Sequence, residues 1–189
     1  MALFRNQQNT NPGSPRAQLT AKYSSARANL LLVIIFTAIN MVMAITGSDS
    51  YFLFSAFIPY FLTLIGAALS GKMPEYFYQG EDAYEIISDG ALMWGLAAVS
   101  TIIVAVYLLL WLLSKKPRMG ILIAALIIFA VDTAALLFIG GFSLDMIIDY
   151  LFHALVIISL AGGISAAKKI SELPDEPVQV EDYTDVTGA

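Results

Sequence analysis

Tyrosines aside, the ionisable side chains within the apolar stretches of this chain are Asp132, Asp145, Asp149 and His153. A carboxylate at the centre of a bilayer costs about 2.5–3.5 kcal/mol on insertion scales, so such residues need partners and commonly mark proton or ion paths. Asp145, Asp149 and His153 recur at i, i+4 and i+8, which stacks them on one helix face about 6 Å apart. The GGFS connection at 140–143 is short, so the last two apolar segments are expected to form an antiparallel hairpin. At equal depth Asp132 then falls opposite Leu151, between Asp149 and His153 in height. The spacing predicts a compact cluster of carboxylates and one imidazole in the outer half of a bilayer, suited to passing a proton or small cation through Asp132, Asp149 and His153.

Each residue also has a plainer role open to it. Asp145 follows Ser143 at the start of a helix, where a hydroxyl cap and the positive end of the helix dipole favour an acid. Asp149 and His153 can form a buried ion pair that is purely structural. One histidine, carboxylates and no cysteine make a poor ligand set for a transition metal, and no His-Glu-x-x-His pattern occurs, so no metal site is expected. Enzymatic readings fare worse. Ser70, Ser100, Ser143 and Ser159 lie in or beside apolar segments, but His153 is the only imidazole base and no Gly-x-Ser-x-Gly elbow is present. No phosphate-binding loop or dinucleotide fingerprint occurs either, so the chain is expected to be non-enzymatic, with no catalytic residues and no cofactor.

The elements that must position these residues follow from composition. Hydrophobic residues make up 58% of the 189 and charged residues only 13%, about half the usual charged share of roughly 25%. With a mean hydropathy of +0.75, such a chain cannot cover a water-soluble globule. Five apolar segments stand out, at 28–46, 51–70, 91–113, 120–139 and 144–163. Each is long enough, at about 1.5 Å per residue, to approach or exceed a hydrocarbon core of about 30 Å. An unpaired amide in lipid costs several kcal/mol, so these segments are expected to be helices. The fold class is therefore all-α: a polytopic membrane protein with a helical membrane domain at 28–167. A disordered basic tail at 1–27 and a disordered acidic tail at 168–189 flank it.

Charge placement tests the number of crossings. With five crossings, Arg5, Arg16, Lys22, Arg27 and Lys72 fall on one side and Lys115, Lys116, Arg118, Lys168 and Lys169 on the other, which leaves no positive-inside bias. If one of the first two segments enters without crossing, every Lys and Arg except Lys72 collects on the cytoplasmic side. Segment 51–70 is the better candidate, because Pro59 near its middle breaks a helical ladder and its first half is crowded with aromatic rings. It is expected to be a re-entrant hairpin from the outer face; the alternative is an ordinary kinked span. The re-entrant case puts both termini in the cytoplasm of a multi-pass cell-membrane protein.

The run YFLFSAFIPYF at 51–61, with SSARANLLLVIIFTAIN at 24–40 before it, resembles the N-terminal part of small, uncharacterised polytopic membrane proteins of bacteria. That resemblance implies a helical membrane fold and carries no activity and no site residues. The expected function is movement of a proton or small cation, alone or as a subunit of a transport complex. The alternative is a non-catalytic membrane scaffold. Expected partners are the lipid bilayer, a protein bound through the acidic C-tail or the aromatic outer loop (Tyr76, Phe77, Tyr78, Tyr84), and a second copy of the chain through the small-residue spacings Gly162–Ala166 and Gly163–Ala167. Nucleic acid is excluded as a partner, since the basic residues are dispersed as membrane flanks.

Overall fold

The computed structural model describes residues 13–48, 50–80, 85–87, 90–141 and 143–174, with the side chain of Asp145 left undescribed. Among these residues there are five α-helices and no strand: α1 (Pro15–Ile45), α2 (Phe57–Leu69), α3 (Ala91–Leu113), α4 (Met119–Ile139) and α5 (Ile147–Glu172). Short 3-10 turns stand at Glu75–Tyr78 and Leu144–Met146. The Ser14 hydroxyl accepts the N–H of Ala17 at 3.1 Å and Pro15 opens α1, a favourable first position for a ring that lacks an N–H. Residues 15–27, expected in a solvated tail, are therefore the first turns of a helix. α5 likewise runs past the expected boundary at 168. The tails at 1–12 and 175–189 lie outside the described residues.

Four helices, α1, α3, α4 and α5, are long and apolar enough to cross a membrane, with 31, 23, 21 and 26 residues. α2 has 13 residues and reaches only about 20 Å, so it cannot cross alone. Pro59 does not break a helix as expected. It is the third residue of α2, in the first turn, where its missing N–H is not needed. α2 rises from the level of Asp132 towards Lys72, whose carbonyl packs against Gly47 just beyond the end of α1. Gly47 has φ +76° and no room for a Cβ there, so only glycine closes this contact. Residues 50–70 thus enter and leave by the same end of the bundle, the re-entrant arrangement.

The ends of the bundle differ in charge. The Arg16 guanidinium donates to the carbonyls of Leu173 and Pro174 at 3.1 and 3.0 Å, so the start of α1 meets the end of α5. At that same end the Tyr23 hydroxyl donates to the carbonyls of Ser114 and Lys116, at 2.8 and 3.0 Å. Arg27 donates to the Ser114 hydroxyl at 2.9 Å and lies over the Trp111 ring, 5.3 Å from its centroid. A cation at the C-terminus of α3 complements the negative end of the helix dipole. Arg16, Lys22, Arg27, Lys115, Lys116, Arg118, Lys168 and Lys169 share this end, and Lys72 sits at the other.

Between the ends, Leu30, Val33, Leu122, Ala125, Phe129, Val156 and Leu160 are fully buried and form the core. The outer faces are apolar too: Phe138 is 88% exposed, Ile158 72%, Leu151 66% and Trp94 62%. Apolar rings and branched chains on the outside of every long helix suit acyl chains, not water. On helix length, composition and this exposure the chain is an integral membrane protein. The small residues of α5 are used within the chain: a Cβ on Gly163 would lie 2.5 Å from the Cβ of Ala26 on α1, and Ala166 and Ala167 are buried.

Candidate proton-holding site

The residues before α2 descend into the bundle as irregular backbone, with Phe54 at φ +75°, and in lipid the amides there need partners. Two polar side chains of α1 supply partners for Phe52 and Ala56. Asn40, fully buried, donates through its amide to the Phe52 carbonyl at 2.7 Å and accepts the Phe52 N–H on Oδ1 at 2.7 Å, imitating a strand pairing. The same amide donates to the Ser55 hydroxyl at 2.9 Å. The Thr37 hydroxyl accepts the Ala56 N–H at 2.8 Å and itself donates to the Val33 carbonyl at 2.6 Å. The descending segment is thereby stitched to α1.

The N-terminus of α2 then ends on Asp132. The Phe57 N–H donates to Asp132 Oδ2 and the Ile58 N–H to Oδ1, both at 2.8 Å. With Ala56 bound by Thr37 and Pro59 carrying no N–H, the orphan donors of this helix start are accounted for. A carboxylate facing two backbone N–H groups at the positive end of a helix is a built anion site, and the anion is supplied by α4 of the same chain. Asp132 is 2% exposed.

His153 completes the arrangement from α5. Its Nδ1 lies 2.8 Å from the Asp149 backbone carbonyl, and its Nε2 lies 3.3 Å from Asp132 Oδ2. A carbonyl only accepts, so Nδ1 carries a hydrogen. The contact between Nε2 and the carboxylate needs a second hydrogen, held either by the ring as imidazolium or by the acid. The pair is thus placed so that one proton can bridge Nε2 and Oδ2. Phe129 stacks on the imidazole, with ring centroids 5.0 Å apart and planes 17° from parallel, and Phe152 meets it edge-on at 5.8 Å.

The expected residues separate into two groups. Asp132 and His153 come together as a buried pair, and the ion partner of His153 is Asp132, not the expected Asp149. Leu151, expected at the level of Asp132, points outward. The carboxylate of Asp149 accepts the Tyr51 hydroxyl on Oδ2 at 3.0 Å. Among the described residues no three His, Asp or Glu side chains converge on a point where an ion would be coordinated. Asp145 stands in the 3-10 turn before α5 and not in the helix's first turn, and the Ser143 hydroxyl makes no cap there. Neither nitrogen of His153 meets a serine hydroxyl.

A cavity of about 240 Å³ runs from Met146 at the outer start of α5 down to His153. Tyr51, Ser55, Phe57, Tyr60, Phe61, Leu64, Leu136 and Asp149 line the rest of it. On the other side of the pair the core closes on Leu122, Ala125, Phe129, Val156 and Leu160, all fully buried. The hydroxyls of Tyr107 and Ser100 on α3 are buried without a hydrogen-bond partner among the described residues, and Tyr107 is the one nearer the basic end. By helical rise it stands about 10 Å nearer the basic end than Asp132, and its side chain leans back towards the start of α3.

Sequence reasoning missed Thr37, Asn40, Tyr51 and Tyr107. A signal did exist for the first two: an amide and a hydroxyl within an apolar span need internal partners as much as a carboxylate does. Compared with family models, with curated proteins and with solved structures, the chain matches none, so this geometry carries the functional reading.

Proposed function

We propose that this integral membrane protein moves protons, as a transporter or as the proton-handling subunit of a transport complex, with Asp132 and His153 holding the transferred proton. The observation that carries the reading is the 3.3 Å contact between His153 Nε2 and Asp132 Oδ2, both buried, with His153 at the foot of a cavity. A purely structural ion pair needs no access route, whereas His153 lines a cavity that extends to Met146 before the start of α5. The positive-inside rule sets the basic end in the cytoplasm, so the cavity faces outward and the apolar layer below the pair is the inner barrier. The buried hydroxyl of Tyr107 lies on that side. Asp132 also anchors the start of α2, so a change in its protonation alters what holds the re-entrant helix, which couples proton binding to movement of that helix.

The test is proton flux into liposomes containing the purified protein and a trapped pH-sensitive dye, driven by a potassium diffusion potential. Wild type is expected to acidify or alkalinise the lumen according to the sign of the potential. Asp132→Asn and His153→Gln are expected to fall to the rate of protein-free vesicles, and Tyr107→Phe to slow flux several-fold with the protein still folded. Wild-type vesicles no faster than empty ones would overturn the reading and leave the scaffold account in its place.

A further inference from the structure

The cavity beside the pair has a composition that the proton reading does not use. Its walls are two stacked aromatic couples: Tyr51 and Tyr60, with centroids 5.7 Å apart at 22°, and Phe57 and Phe61, 5.0 Å apart at 19°. Its one carboxylate outside the Asp132–His153 pair is Asp149, which accepts the Tyr51 hydroxyl and has no cationic partner among the described residues. Asp132 faces His153 and the start of α2, so Asp149 is the carboxylate left to face a bound solute. Aromatic faces around an uncompensated carboxylate, in a mainly apolar cavity, are the recognised chemistry for an ammonium group carrying organic substituents. An anion would be repelled by Asp149, and a bare metal ion would find too few oxygen ligands.

We infer that Asp149, Tyr51, Tyr60, Phe57 and Phe61 form a binding site for a small organic monocation, a quaternary or substituted ammonium. This rests on the transport reading and deepens it, making that cation the solute whose movement is linked to the proton on Asp132 and His153. The linkage has a short physical route: the His153 ring is anchored on the backbone carbonyl of Asp149, whose side chain faces the cation.

The experiment is calorimetric titration of the detergent-solubilised full chain with phenyltrimethylammonium, compared with its neutral isostere tert-butylbenzene. The cation is expected to bind at least tenfold tighter than the isostere. Asp149→Asn, which still accepts from Tyr51, is expected to lose about tenfold for the cation and nothing for the isostere. Tyr60→Leu is expected to lose several-fold. Equal affinity for the charged and neutral probes, or no binding of the cation to wild type, overturns the inference without needing any variant to fold. Cation binding without proton flux in vesicles would defeat the transport reading while leaving the site standing. Flux without cation binding would do the reverse.

Discussion

The Asp132 carboxylate accepts the backbone N–H of Phe57 at 2.8 Å across 75 residues of sequence, so a side chain in the middle of α4 serves as the N-terminal cap of α2. The partnership joins two requirements. A helix that starts inside a membrane must have its first N–H groups satisfied, and a carboxylate in the same place must have donors. Each solves the other's problem, and His153 Nε2 approaches the same carboxylate at 3.3 Å.

Removing that carboxylate is therefore expected to cost more than losing one hydrogen bond. Asp132→Ala leaves two buried N–H groups unpaired and His153 without its counter-charge, a loss of about 3–5 kcal/mol by analogy with other broken buried pairs. Asp132→Asn keeps one acceptor and sets an amide N–H against a backbone N–H, so it should fall between wild type and alanine. Denaturation of the purified protein in mixed micelles orders the three; equal midpoints for all of them would remove the capping role.

Asn40 holds the descending segment by both faces of its amide. Asn40→Ala unpairs the Phe52 N–H and carbonyl, at about 1–3 kcal/mol for each group left buried and unmet. Proteolysis in micelles should then cut between residues 50 and 56, where wild type is protected. Protection unchanged in the variant would show that Asn40 does not hold this segment.

Gly162 and Gly163 are neighbours with opposite tolerances. A Cβ on Gly163 meets the Ala26 Cβ at 2.5 Å and Leu122 Cδ1 at 2.9 Å, both in the packed core, so Gly163→Ala should cost about 1–3 kcal/mol by overpacking. A Cβ on Gly162 meets the mobile end of Lys22, its Cε at 2.9 Å, and Gly162→Ala should be close to neutral. Melting curves of the two variants decide the matter, and a larger loss at Gly162 would refute this packing of α1 on α5.

Topology is open to direct measurement because the chain has no native cysteine. Single cysteines at Gln18 and Ser171 are expected to react with an impermeant maleimide from the same side, and one at Gln79 from the opposite side. Reaction of Gln18→Cys and Ser171→Cys from opposite sides would restore five crossings and end the re-entrant assignment of α2.

Much of the architecture was legible in the chain because hydropathy and charge are local properties. The segments at 91–113 and 120–139 nearly coincide with α3 and α4. The even split of Lys and Arg under five crossings pointed to a segment that enters without crossing. Pro59 was read correctly as incompatible with an uninterrupted span but placed wrongly, since a proline marks a helix start as readily as a helix break. The N-terminal boundary failed for a related reason: the polar residues from 15 to 27 look like a tail until Tyr23 and Arg27 are seen capping α3.

What the sequence by itself determined is the environment and the inventory: apolar runs that must be helices, and a few acids and one histidine that must find partners within them. Only the tertiary structure decided who those partners are. Residues on one helix face share a periodic signature, so Asp149 and His153 were predictable neighbours. Asp132 meets His153 and the start of α2 through contacts between separate helices, and no spacing along the chain records the rotation of one helix against another. That rotation turns Asp132 inward to two backbone N–H groups and turns the Asp149 side chain to Tyr51 and the cavity.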